Sequence, residues 1–365
     1  MNRTIIIINV VTFLVVAFVA IQMKGSISHE RTNTSERINT MLKKARYLEN
    51  TGDFIEAGSA YSLLAKNASP KDKAIAERGR RRMAALALVS RFPMDAAALA
   101  ASNLLVAELQ ADGGDNAVVA ALLLHAVAIA DGQEDSIDRL VADQSLVELA
   151  PWKDWLLGAQ YFYAGHALKA VPHLEEVVTL QKKYMPGFLL YGNALSLTGD
   201  VSGAVTALES ALSLGAGRDG YGSLGRAHLR AQQWPEAVKN LDRAHTLGKP
   251  EIVLQKELGF ALFQMGSFAQ SARAYRGAYT LDRNPSTLLM AVLSLRKGKM
   301  EEEALRLLQD IDADAMPRAL YERGRALAEI GRTEEARAVL MQYVTAAEAT
   351  PAERLRVQEI KAMLE

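Results

Sequence analysis

A chain of 365 residues, half of them hydrophobic and 23% charged, is long enough for more than one ordinary domain. Lys plus Arg and Asp plus Glu balance at 42 each, so the basic excess that a nucleic-acid partner selects is missing and no nucleic acid is expected. Cysteine is absent, which excludes disulfides, zinc–thiolate centres and cysteine nucleophiles; a cysteine-free chain suits an oxidising compartment such as a periplasm without requiring one.

After a three-residue tail (1–3) comes Thr4–Met23, TIIIINVVTFLVVAFVAIQM, twenty residues without a charge. As a helix this run is about 30 Å long, the thickness of a bilayer's hydrocarbon core. A cleavable signal needs only about 7–15 apolar residues and a small-residue site after them. Here Phe18 stands two residues before Ala20, and only Ser26-Ile27-Ser28 is tolerable. The run is therefore predicted to be an uncleaved, single-pass transmembrane helix. Arg3 and the amino terminus precede it, and Lys24, Arg31 and Arg37 follow, interleaved with Glu30 and Glu36. The positive-inside count is nearly a tie. A short tail most simply stays inside while the rest is exported, which places the anchor in the inner (cytoplasmic) membrane and the body in the periplasm. Residues 24–37, polar and aperiodic, read as a stalk.

From residue 38 the chain reads as helices. Ala45, Leu48, Gly52, Ala57, Tyr61 and Leu64, closed by Pro70, describe one helical pair. Alanine-rich amphipathic stretches at about 72–91, 95–111, 115–130 and 134–148 suggest two divergent pairs more, up to residue 150. From Pro151 the pattern becomes strict. A small residue followed four later by Leu or Tyr recurs as Ala170/Leu174, Ala204/Leu208, Ala237/Leu241, Ser271/Tyr275, Ala304/Leu308 and Ala336/Leu340, at spacings of 34, 33, 34, 33 and 32. Twelve residues before these stand Gly158, Gly192, Gly225, Gly259 and Gly324, with Val292 in the fifth unit. Gly165, Gly199, Gly266, Gly298 and Gly331 mark the turns within units; the unit from 218 has Gln232 there, and its Pro235 opens the second helix. Six units span 151–350, and 351–365, PAERLRVQEIKAMLE, reads as a polar capping helix.

These residues resemble the tetratricopeptide repeat, whose pattern is W-x2-L-G-x2-Y, then A-x3-F, then P. Residues 185–218 carry it most clearly, with Phe188, Tyr191, Gly192 and Leu195 in the first half and Ala204, Leu208 and Ala211 in the second. The resemblance implies an all-α, right-handed solenoid of antiparallel pairs, each crossing closely at its small residues and stacking on the next. It also implies that the first helix of each pair lines a concave groove that holds partner proteins or peptides. On that face the register places Trp152, Trp155 and Phe162, then Leu189 and Asn193, then Arg226 and Arg230, then Lys256, Phe260 and Phe263. Aromatics and arginine are enriched at binding hot spots; packing between repeats is the other reading of the tryptophans. The Lys/Asn clamp that some relatives use on a peptide carboxylate is not carried over, because Leu189 precedes Asn193 and Phe260 follows Lys256.

Sharper chemistry finds little footing. Gly220, Gly222 and Gly225 fit a dinucleotide fingerprint with Asp242 beyond, but no strand precedes them. The six histidines fall in no metal-ligand spacing, and Glu175-Glu176 and Glu301-Glu302-Glu303 read as solvated helix faces. No catalytic residue, cofactor or metal is expected. The function expected is a membrane-tethered interaction scaffold of a bacterial-type envelope, in secretion, pilus or envelope assembly; a cytosol-facing adaptor and an accessory subunit of an enzyme complex are the alternatives.

Overall fold

The computed structural model describes residues 36–364, except 50, 68, 134, 313–315 and 349. The expected span Thr4–Met23 and nearly all of the stalk lie outside the described residues. No helix within them is long and apolar enough to cross a membrane. The chain divides into two compact units, the first ending at Gly187 and the second beginning at Phe188.

Every described element of the first unit is helical. Helix α1 covers 36–49 and pairs in sequence with α2 (Phe54–Asn67). Helices α3 (Pro70–Ser90) and α4 (Ala96–Asp112) follow, then α5 (Asp115–Ala130) and α6 (Ser136–Ala142), then α7 (Ala150–Tyr163) and α8 (Ala167–Leu180). Local chemistry sets the ends. Ser69 Oγ accepts from Asp72 N, and Asp95 Oδ1 from Ala98 N, capping two N-termini. The helix expected over 134–148 is instead α6 plus a 3-10 turn, Gln144–Leu149. Asp143 breaks it by accepting from Ser145 N and Oγ at 2.8 and 2.6 Å, while Lys153 Nζ donates to the freed carbonyls of Val141 and Asp143.

The second unit repeats one module. Its pairs are α9 (Met185–Thr198) with α10 (Val201–Ser213), α11 (Gly217–Arg230) with α12 (Trp234–Thr246), and α13 (Ile252–Gln264) with α14 (Phe268–Asp282). Then come α15 (Pro285–Lys297) with α16 (Glu301–Leu308) and α17 (Pro317–Glu329) with α18 (Thr333–Ala347). A 3-10 turn, Pro351–Glu353, leads into the cap α19 (Arg354–Leu364), which buries Val357 and Ile360 in the core around Tyr343. Each second helix packs on the first helix of the following pair, as α12 does on α13 and α14 on α15.

The small residues stand where the helices of a pair cross. A Cβ at Gly192 would lie 2.6 Å from Leu208 Cγ and 3.2 Å from the Ala204 carbonyl; one at Gly225 would meet Leu241 at 2.5 Å, and one at Gly324 would meet Leu340 at 2.6 Å. The same glycine-to-leucine contact joins Gly158 to Leu174 in the first unit. The turns share one device: the residue in left-handed backbone is Gly165, Gly199, Gln232, Gly266, Lys299 or Gly331. Gly298 was expected in that role, but it ends α15 at φ −84° and Lys299, at φ 57°, makes the turn. The amide after each turn residue closes on a carbonyl five residues back, from Gln233 to His228 and from Met300 to Leu295, as from Asp200 to Leu195. Two non-glycine residues therefore accept a conformation that costs about 1 kcal/mol to keep the repeat in phase.

Candidate partner-binding surface

The predicted groove residues part into two groups with different surroundings. In the first unit, Trp152 and Trp155 are buried, 5% and 3% exposed. The Trp152 ring meets Phe54 edge-on at 4.6 Å and Tyr184 at 5.2 Å, under Gly52, where a Cβ would lie 3.2 Å from Trp152 Cη2. Trp155 also meets Tyr184 at 5.2 Å, and its Nε1–H donates to the Val89 carbonyl at 3.0 Å; the Tyr184 hydroxyl donates to the carbonyl of Ser90. Burial drives the Tyr184 phenol far above its ordinary range. The two tryptophans are thus not groove anchors. They form an aromatic lock between α2, α3 and α7, because α3 runs to Ser90 and its last turn covers the α7 face. Phe162 is half-buried, edge-on to Tyr163.

In the second unit the first helices do present a polar face. Asn193 on α9 is half-buried. Arg230 Nη1 on α11 donates to Ser196 Oγ on α9 at 3.1 Å, and Arg226 Nη1 reaches Glu257 Oε2 on α13 at 3.3 Å. Phe260, one turn beyond Glu257, is 41% exposed and edge-on to Trp234. Phe263 is half-buried against Phe268. Lys256 is committed elsewhere: its ammonium pairs with Asp282 at 2.7 Å, and that carboxylate also takes Thr287 Oγ1 and Asn284 N.

The electrostatics of this face are unbalanced. Burial, and then the neighbouring Arg226, hold the Arg230 guanidinium below its ordinary pKa, with Glu257 opposing. Burial raises the Glu257 carboxyl, and Arg226 opposes that shift. Arg226 therefore bonds to a carboxylate, whereas Arg230 bonds to a neutral hydroxyl, with a like charge beside it and Glu257 acting on it without a hydrogen bond. Sequence reading missed Ser196 and Glu257, since neither is an aromatic or a cation; their offset of one repeat from Arg230 and Arg226 was the available signal.

Further along, Glu322 is 1% exposed and held by Arg296 and by Arg318, the latter at 2.9 Å. Arg296 also reaches Glu329 at 2.5 Å, and burial of its charge is outweighed by Glu329 and Glu322, which raise its pKa. Glu353 takes Tyr343 and Arg356 and fastens the cap. This network is structural.

Gly220, Gly222 and Gly225 all lie inside α11, and no strand occurs among the described residues. They cradle nothing: Gly220 seats Leu212 and Gly225 seats Leu241. Among the described residues no group of His, Cys, Asp and Glu is arranged to hold a metal ion.

Residues 317–350 match the tetratricopeptide repeat family model. The match spans helices α17 and α18, whose Gly–Leu crossing recurs at Gly158–Leu174, Gly192–Leu208 and Gly225–Leu241, while the α13 pair crosses at Gly259 and Tyr275. The described residues are all-helical and tetratricopeptide-like in fold. Among solved structures it is similar to MamA protein (17% identity, 51% of this chain and 97% of that one, TM-score 0.41). It is likewise similar to YrrB, described as a TPR protein with an unusual peptide-binding site (18% identity, 52% and 97%, TM-score 0.44). A longer alignment, over 84% of this chain and 58% of the other, is with the APC/C hetero-tetramer Cut9-Hcn1 (14% identity, TM-score 0.42). No curated protein matches the chain significantly.

Proposed function

We propose that the chain is a membrane-tethered scaffold that docks a partner protein on the first-helix face of its second unit. The observation that carries this reading is Arg230, a part-buried cation with no ion-pair partner among the described residues, near the Arg226–Glu257 pair, with the half-exposed Phe260 one turn beyond Glu257 on α13. A carboxylate arriving there relieves both the burial of Arg230 and its repulsion by Arg226. The ligand is then a segment with an acidic residue and a hydrophobic one about a helical turn apart. Photo-crosslinking from position 260 in intact membranes tests this. A partner adduct is expected, and it should fall about tenfold with Arg230→Glu; adducts indifferent to Arg230→Glu would sink the reading.

The tether rests on Thr4–Met23, whose twenty uncharged residues match a bilayer core. The body then stands in the periplasm, in a secretion, pilus or envelope-assembly machine. Membrane retention after alkaline carbonate extraction is the expected outcome, and release contradicts the anchor. The near-tie of flanking charges favours a second orientation, a cytosol-facing adaptor, enough to require a C-terminal reporter: a periplasm-active reporter should work and a cytoplasm-only one should fail.

A further inference from the structure

In a tetratricopeptide array the fourth residue before the packing glycine of each first helix is a large apolar one that fills the space beside the neighbouring helices. In the second unit that position is Phe188, Tyr221, Leu288 and Leu320, but in the α13 pair it is Gln255; in the first unit Asp154 holds it before Gly158 and is paired with His173. A second exception faces it. The residue four beyond the packing Leu or Tyr of the second helix is Val178, Leu212, Tyr279 and Val344 in four pairs; after Leu308 it is Asp312, past the end of α16, and within α12 it is His245.

Both exceptions line one cavity of about 440 Å³ between α12, α13 and α14, a size at which small ligands are bound. Gln255 is only 8% exposed. Its Oε1 and the Nδ1 of His245 are buried without a hydrogen-bond partner in the protein. Leaving such groups unmet is costly, so an apolar residue would serve the fold better at either place. Gly277 makes room for the carboxamide, since a Cβ there would lie 2.9 Å from Gln255 Nε2. The remaining wall is amphipathic. Val238, Leu258, Leu262 and Ala274 give an apolar side, and Lys239, Arg273 and Asp242 give two cations and one acid, none of them ion-paired among the described residues.

We infer that this cavity is a ligand site for a small organic carboxylate with a short apolar body. The carboxylate sits on Lys239 and Arg273, whose charges exceed that of Asp242 by one; the apolar wall takes the body; and Gln255 and His245 supply the hydrogen bonds inside. A half-turn of the carboxamide or a change of imidazole tautomer lets both groups donate. The site is separate from the first-helix face proposed for partner docking, and its occupancy can be measured without any partner.

The test is calorimetric titration and thermal melting of the full-length protein with 4-methylpentanoate, with leucine, and with inorganic phosphate as a plain anion. The carboxylate should bind and raise the melting temperature. Lys239→Gln and Arg273→Gln should each weaken it about tenfold without moving the ligand-free melt. Gln255→Leu should raise the ligand-free melting temperature and abolish the carboxylate's effect. Tighter binding of leucine would support the site and assign its ammonium group to Asp242. Three outcomes overturn the inference: no heat or shift from either organic ligand in the wild type, phosphate acting as strongly as the carboxylate, or Gln255→Leu lowering the ligand-free melt.

Discussion

Helices α7 and α13, the first of their pairs in the two units, use aromatic side chains in opposite ways. In the first, Trp152, Trp155, Phe54 and Tyr184 form a sealed cluster. In the second, Phe260 stands 41% exposed on α13, edge-on to Trp234. Yet Trp152 and Phe260 both occupy first helices, and sequence register alone puts them in one category. The difference lies in their neighbours. Helix α3 has 21 residues against 13–15 for α11 to α15, and the carbonyls that fix Trp155 and Tyr184 belong to its last two residues, Val89 and Ser90. A first-helix aromatic is filler where a longer helix reaches over it, and stays exposed where none does.

The strongest way to break this contrast is to delete one aromatic from each group. Trp155→Ala should destabilise the protein by about 3–5 kcal/mol in chemical denaturation followed by circular dichroism. Phe260→Ala should stay within about 0.5 kcal/mol, as exposed positions do. Comparable losses at the two sites would erase the distinction between lock and face.

A smaller effect probes the regularity of the second unit. Gly192→Leu must displace Leu208 and the α10 backbone, at about 1–3 kcal/mol. Asp200→Ala removes only the side chain that caps α10 through Gly203 N, and about 1 kcal/mol with it. The reverse ranking would mean that the crossing is looser than the Gly–Leu contact requires.

The smallest effect has the opposite sign. Gln232→Gly and Lys299→Gly, at φ 56° and 57°, should each raise stability by up to about 1 kcal/mol. Gly199→Ala, at φ 92°, should lower it by a similar amount. Melting temperatures of the three variants read the signs directly, and a loss at either glycine replacement would show that those side chains contribute something the turn does not need.

The repeat was legible because its signals are local and recur. The Gly192–Leu208 contact is fixed by a 16-residue offset that any helical pair of this geometry must keep, and it returns at Gly225–Leu241 and Gly324–Leu340. The turn was legible to within one residue: Gly298 is the conspicuous glycine, but the phase set by the neighbouring turns falls on Lys299. The surface was harder. Arg226 and Arg230 stand out as cations, while their partners Glu257 and Ser196 lie a full repeat away and carry no motif. Lys256 looked available and is held by Asp282, 26 residues on. The tryptophans could not be placed from sequence, because what covers them is the length of α3, in the region where the repeat pattern fades.

The central claim is that the lock in the first unit holds the fold while the face around Arg230 holds a partner. One paired measurement tests it most directly: the melting temperature and the partner recovery from crosslinked membranes of Trp152→Phe and Arg230→Glu. Trp152→Phe should melt several degrees lower and, assayed well below that temperature, recover partners at wild-type level. Arg230→Glu should melt as the wild type does and lose about 90% of recovery, the tenfold loss expected when an interface cation is reversed. Full recovery with Arg230→Glu, or loss of recovery with a folded Trp152→Phe, would contradict the account.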